Sequence, residues 1–345
     1  MLYGIAAAAT SLLLSALLAE LLRVPALRLG IVDRRRRWAL PLSGGTAVVL
    51  ATVLVAGLGD RAGYAPLGTG IGRLLAAGAW IGVLGLAADV WRLRWWVPLA
   101  GTAVAAALVV PYAETGVVRG ALAVGWVVAV TAAFRGLDHA DGLAGTVGAV
   151  AAFGVAVCAA AELMDGIAVL MSVLAAALAG FLLHNWHPAR AGLGAGGSLF
   201  TGFVVASAAV FVRAGQGIGT GAGVLFALTA VVCADAVLVV LARRLSRWPL
   251  TRGRPDHLGH RLRRLGLAPR AVTVLLGIGA LGGVLVGVGV HTGRVSGGAV
   301  VWVAAVAAVV VLALVRLPVT PVFRPRQRSS EVSPQVRERL RVRNG

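Results

Sequence analysis

Apolar and polar positions along this chain alternate at the scale of whole helices rather than of single residues. Long runs of Ala, Val, Leu, Ile and Gly recur from end to end, separated by short stretches rich in arginine, glycine or proline. A helix that is apolar on every face is either the core of a large protein or a membrane span. The runs predict helices over residues 4–22, 39–58, 74–91, 97–113, 120–134, 143–161, 166–183, 198–212, 222–242, 271–290 and 297–315. Together they form an all-α, polytopic integral membrane bundle of about eleven transmembrane helices. Helices are expected because lipid offers no partner to an unpaired backbone group. Several runs are nearer ~15 than the usual ~20 residues of a full crossing.

Composition agrees. The chain is 59% hydrophobic and only 13% charged, with a mean hydropathy of +0.90, far from the balance of a soluble domain. The net charge of +19 comes from arginine alone, with no lysine, and its placement is informative. With alternate loops assigned to one side, starting with residues 23–43, that side collects 27 of the 32 arginines. Arg61, Arg73, Arg119, Arg213 and Arg294 remain on the other. The rich side is cytoplasmic by the positive-inside rule, which puts the N-terminus outside and the C-terminus inside. Anionic lipid and topology account for the charge. Without interleaved aromatics the basic clusters do not suit nucleic acid, and no nucleic-acid partner is expected.

The organisation is one integral membrane domain, residues 1–317, followed by a basic cytoplasmic tail, residues 318–345. No cleavable signal is evident: the first span is long and arginines follow it. Cys158 and Cys233 fall inside apolar runs, which argues against a disulfide framework or a cysteine metal site. No repeat of fixed period is present.

Most of the acids and histidines gather on the arginine-rich side: Asp33, Asp89, Asp138, His139, Asp141, His184, His187, Asp256, His257 and His260. Asn185, the glycine-rich Gly192–Ser198 stretch and Asp235 within the ninth run join them. Ionisable groups at a span's end mark a site more often than a surface. Glycine turns and helix ends offer N–H groups suited to a pyrophosphate, carboxylates hold its magnesium, and arginines pair with its oxygens. Each residue also has a plainer reading. Asp89 could be a solvated acid paired with Arg92, Asp235 a hydrogen-bonded packing residue, and His257 and His260 interfacial histidines. The glycine stretch could be an ordinary tight turn. Asp138 and Asp141, three apart, would share a face if helical. His184, His187 and His291 are read as histidines without a site role.

In order along the chain, these segments resemble the polyprenyl-phosphate N-acetylhexosamine-1-phosphate transferases, from about Gly30 to Gly289. The matching stretches are GIVD with PLSGG, GLAADVWRL, TAAFRGLDHADGLAG, HNWHPAR with GAGGSLFTGF, and DHLGHRLRRLGL. The resemblance implies transfer of a sugar-1-phosphate from a UDP-sugar to polyprenyl phosphate, with magnesium and release of UMP, at the cytoplasmic face of the plasma membrane. It implies catalytic roles for Asp89, Asp138, His257 and His260, and substrate binding by Asp141, Asn185, Gly194, Ser198 and Arg135. The bilayer, polyprenyl phosphate and a UDP-sugar are the implied partners, and a homo-oligomer is left open. The departures fall on the chemistry. Ala88 replaces the first of an aspartate pair, Ala132 and Arg135 stand at asparagine positions, and His139 replaces a glycine. Ala195 stands where the family has its magnesium-ligating aspartate, so no metal ligand is assigned, and Gly259 interrupts the histidine run. Two functions follow from this pattern: a divergent transferase of cell-envelope glycan synthesis, or an inactive relative that binds polyprenyl phosphate or nucleotide or partners an active enzyme.

Overall fold

A computed structural model describes residues 2–33, 39–246 and 256–317. The tail 318–345 and parts of two basic loops lie outside the described residues. The described residues are 80% helical. It opens with α1 (Leu2–Leu21) and α2 (Arg23–Arg28), then a small antiparallel pair, β1 (Val32–Asp33) with β2 (Leu40–Pro41), in which Val32 faces Pro41. There follow α3 (Ser43–Arg61), α4 (Gly68–Trp91), α5 (Trp96–Val109), the short α6 (Tyr112–Thr115) and α7 (Val117–Leu137). Next come α8 (Leu143–Ala161), α9 (Asp165–Asn185), α10 (Gly194–Val212) and α11 (Ile218–Leu228). The chain continues with α12 (Ala230–Leu245), α13 (Leu258–Arg264), α14 (Pro269–His291) and α15 (Ala299–Val315).

Each of the eleven predicted runs contains an apolar helix, several extending beyond the run at their polar ends, although run 39–58 opens with β2 and run 97–113 passes the end of α5 at Val109. Among the described residues, eight helices are long and apolar enough to cross a membrane, or nine with the bent pair α11–α12 counted as one crossing. Eleven crossings would require α5 and α15, of 14 and 17 residues, to span as well. One expectation needs correcting: residues 222–242 are not a single helix. The helices on either side of Thr229 meet at 85°. Thr229 leaves helical geometry at φ −123°, and its N–H bonds back three residues to Phe226 rather than four. Hydropathy cannot register such a break, because an apolar run reads the same whether straight or folded.

The centre of the bundle is α10, with 94% of its apolar window buried. Helices α3, α4, α7 and α8 pack around it. Glycine makes this approach feasible. A Cβ on Gly85 would stand 2.5 Å from the Ala195 carbonyl oxygen, and one on Gly202 would stand 2.9 Å from Cα of Thr131. Small residues at helix contacts gain van der Waals packing that lipid cannot supply, which is the dominant attraction between spans. Because α10 is held on all sides, its N-terminus is a fixed point, and the acids and histidines are arranged around that end.

Candidate functional site

The N-terminus of α10 begins at Gly194, whose φ of +65° turns the chain sharply into the helix. Its first amides are not free donors, contrary to the expectation for the glycine turn. Asp89, from the last turn of α4, accepts the Ala195 N–H at 2.6 Å and the Gly196 N–H at 3.4 Å through Oδ2. Asp138, just beyond α7, accepts the Gly194 N–H at 2.8 Å. Two carboxylates thus cap one helix N-terminus, where backbone amides and the helix dipole both favour negative charge. Asp89 also lies within electrostatic reach of Arg135 and Asp33. The fully buried Ser198 hydroxyl donates to the Gly194 carbonyl at 2.6 Å, turned back into its own helix.

The turn from Asp138 to Gly142 is the hub. Asp138 and Asp141 do not share a helical face, because α7 ends at Leu137 and the two side chains part company. Asp138 reaches α10, whereas Asp141 accepts from His187 Nδ1 at 2.7 Å and from the Ala189 N–H at 3.2 Å. The Asp141 carbonyl accepts the Thr273 hydroxyl of α14 at 2.8 Å. Gly142, at φ +73°, donates its N–H to Asn185 Oδ1 at 2.8 Å, and Asn185 Nδ2 donates to the Ala191 carbonyl at 2.8 Å. Buried and fully engaged, Asp141 and Asn185 brace the turn against the α9–α10 loop and α14. His187, read as having no site role, is therefore a partner of a site acid. Arg270 donates to its carbonyl at 2.9 Å.

Between those two aspartates, His139 points a third way. Its ring stacks on His257 with centroids 4.4 Å apart and lies 4.7 Å from that of His260. His257 Nδ1 meets Asp235 Oδ2 at 2.7 Å, and the Leu258 N–H donates to Asp235 Oδ1 at 2.7 Å, which fixes the start of α13. The bend at Thr229 leads into the helix that carries Asp235. Burial, with His257 alongside, pushes the His139 pKa down to about 3, and the same two causes push His260 to about 4. Both imidazoles are consequently neutral at pH 7. Sequence reasoning noted His139 and Asp235 but left them out of the site. The signal was there, in a histidine where the resembled family has glycine. Arg135 stands exposed in the last turn of α7, three residues before Asp138. The stretches around Asn185, Gly194 and His257 thus meet the Asp138–Gly142 turn at one end of the bundle, and Asp89 joins them through the α10 N-terminus.

The sequence model of glycosyl transferase family 4 matches residues 71–213, the stretch that carries Asp89, Asp138, Asp141, Asn185 and the start of α10. A Streptomyces coelicolor protein, provisionally named a glycosyltransferase, is 68% identical over 322 residues, covering 92% of this chain and 78% of that protein. The chain belongs to the polyprenyl-phosphate N-acetylhexosamine-1-phosphate transferase family. Among other relatives, the decaprenyl-phosphate N-acetylglucosaminephosphotransferase of Mycolicibacterium smegmatis is 28% identical over 302 residues, 74% of each chain. The phospho-N-acetylmuramoyl-pentapeptide-transferase of Rubrobacter xylanophilus is 29% identical over 148 residues, 43% of each. This chain is a multi-pass membrane protein.

Magnesium, the ion this family generally uses, does not fit the glycine turn of this member. Ala195 has no donor atom, and one oxygen each of Asp89 and Asp138 is already bonded to backbone amides. Magnesium wants a near-octahedral oxygen shell anchored on carboxylates. Among the described residues, the one group of three or more acids, histidines or cysteines able to converge on an ion lies elsewhere, and neither Asp89 nor Asp138 belongs to it.

Proposed function

We propose that the protein is a divergent membrane sugar-1-phosphate transferase of cell-envelope glycan synthesis, using a UDP-sugar as donor and polyprenyl phosphate as acceptor. The observation that carries this reading is the meeting of four motif stretches at one end of the bundle, around the Asp138–Gly142 turn and the α10 N-terminus. In the reaction an oxygen of the lipid phosphate attacks the sugar-linked phosphorus. A new P–O bond forms, the bond to the UMP oxygen breaks, and UMP leaves. A lipid phosphate already ionised at pH 7 needs no proton removed, so positioning and charge neutralisation carry the catalysis.

Neutral His139 and His260 cannot supply that charge. Arg135, exposed beside Asp89 and Asp138, supplies it to the pyrophosphate through its planar fork of donors. Asp138, Asp141 and Asn185 hold the turn that carries His139 and directly follows the helix end bearing Arg135. The site faces the cytoplasm of the plasma membrane, supported by the arginine count. The test is exchange in membranes: UMP-dependent release of labelled UDP-sugar from polyprenyl-linked product, compared with the Arg135→Ala variant.

A second reading has an observation of its own. Ala195, together with the capping of the α10 amides by Asp89 and Asp138, favours an inactive relative that binds polyprenyl phosphate or nucleotide. Binding of either ligand without exchange would select it.

A further inference from the structure

We propose that His139, Asp235 and His257 form a binding site for a divalent transition ion of the zinc class, separate from the glycine turn where the family places magnesium. One ligand atom from each residue lies within 4.8 Å of the others. Two imidazoles and a carboxylate form a nitrogen-rich set that suits zinc and its neighbours, whereas magnesium takes oxygen. A tetrahedral ion with bonds of ~2.1 Å separates its ligands by about 3.4 Å, a difference that side-chain rotation can close.

A hydrogen bond already selects the ligating tautomer of His139. His139 Nδ1 faces the Gly136 carbonyl at 2.8 Å. A carbonyl only accepts, so Nδ1 carries the proton and Nε2 keeps its lone pair. That Nε2 is buried and has no hydrogen-bond partner among the described residues. A buried polar atom without a partner costs free energy and calls for an explanation. His257 Nδ1 lies 2.7 Å from Asp235 Oδ2, which holds that imidazole and the carboxylate together beside the His139 ring. His260, its ring 4.7 Å from that of His139, stands ready as a fourth group.

Local packing is built around the His139 ring. A Cβ at Gly259 would stand 2.7 Å from His139 Nε2, and a Cβ at Gly136 would stand 3.2 Å from His257 Cε1. Glycine at both positions is what lets the imidazoles of the α7–α8 turn and of α13 meet. An ion here would clamp that turn to α12 and α13. The inference concerns ion binding alone and does not depend on the transferase reading.

The experiment uses the full chain purified in detergent through a tag free of histidine, stripped with chelator, reloaded with zinc or magnesium and desalted. Metal content by mass spectrometry and the zinc K-edge absorption spectrum are then read. Stoichiometric zinc in a low-atomic-number nitrogen and oxygen shell, not displaced by excess magnesium, is expected. His139→Gly, which leaves the Asp235–His257 bond in place, and Gly259→Ala, which crowds Nε2, should each weaken zinc binding about 10- to 100-fold. His291→Gln, at the far end of α14, should leave it unchanged. Monodisperse gel filtration of each variant separates loss of the ion from loss of the fold. A parent without retained zinc, or a well-folded His139→Gly variant that keeps it, would overturn the proposal.

Discussion

Asp89 shows how a single residue's role depends on what faces it. In sequence it is an acid near Arg92, and a loose surface pair would have been a fair reading. In the structure its carboxylate closes the N-terminus of α10. Asp89→Ala is expected to cost about 1–2 kcal/mol, the usual loss on removing a helix cap, seen as a fall in melting temperature in detergent. An unchanged melting temperature would mean the cap contributes nothing. Ala195→Asp makes the opposite change, adding a carboxylate beside Asp89 and Asp138 at the buried start of the helix. It should create a magnesium-dependent rise in melting temperature that the parent lacks. An equal rise in the parent would show that the unmodified turn already holds the ion. Residue types and the family resemblance singled out Asp138, Asp141 and Asn185 as candidates. They could not reveal that Asp141 and Asn185 make bracing contacts, because the bonds that join their two segments span 43 to 48 residues.

At the level of elements, apolar runs located every long helix, since the bilayer demands an unbroken apolar stretch and nothing else in the chain supplies one. What they missed depends on local hydrogen bonding: the 85° break at Thr229, the β1–β2 pair, and the end of α7 just before Asp138. The short α13 was legible only as a histidine loop. Its anchor is Arg261, almost fully buried, which donates to the carbonyls of Asp256, Leu314 and Leu317. Those bonds tie the end of α15 to the segment that carries His257 and His260. Arg261→Leu should strand the carbonyls at a cost of about 1–3 kcal/mol. Hydrogen exchange would then rise in α13 and at the C-terminal end of α15 while α10 stays protected. Uniform protection across all three would remove Arg261 from that role.

For the whole molecule, the proposed reading takes its orientation from the arginine bias, which would put the α10 N-terminus, the Asp138–Gly142 turn and the histidines on the cytoplasmic side. Single cysteines introduced at positions 30 and 266 should resist a membrane-impermeant reagent in intact cells, and one at position 63 should react. Labelling at position 266 from outside would invert the topology and detach the site from any cytoplasmic nucleotide. The central claim is that this family member still transfers a sugar-1-phosphate, with Arg135 rather than an ion at Ala195 neutralising the pyrophosphate. The most direct measurement is UMP-dependent exchange by the purified protein, with polyprenyl phosphate, in the presence and absence of magnesium. The account predicts exchange that is indifferent to magnesium and abolished in Arg135→Ala. Exchange that requires magnesium and survives Arg135→Ala, or no exchange from protein that binds the lipid, would contradict it.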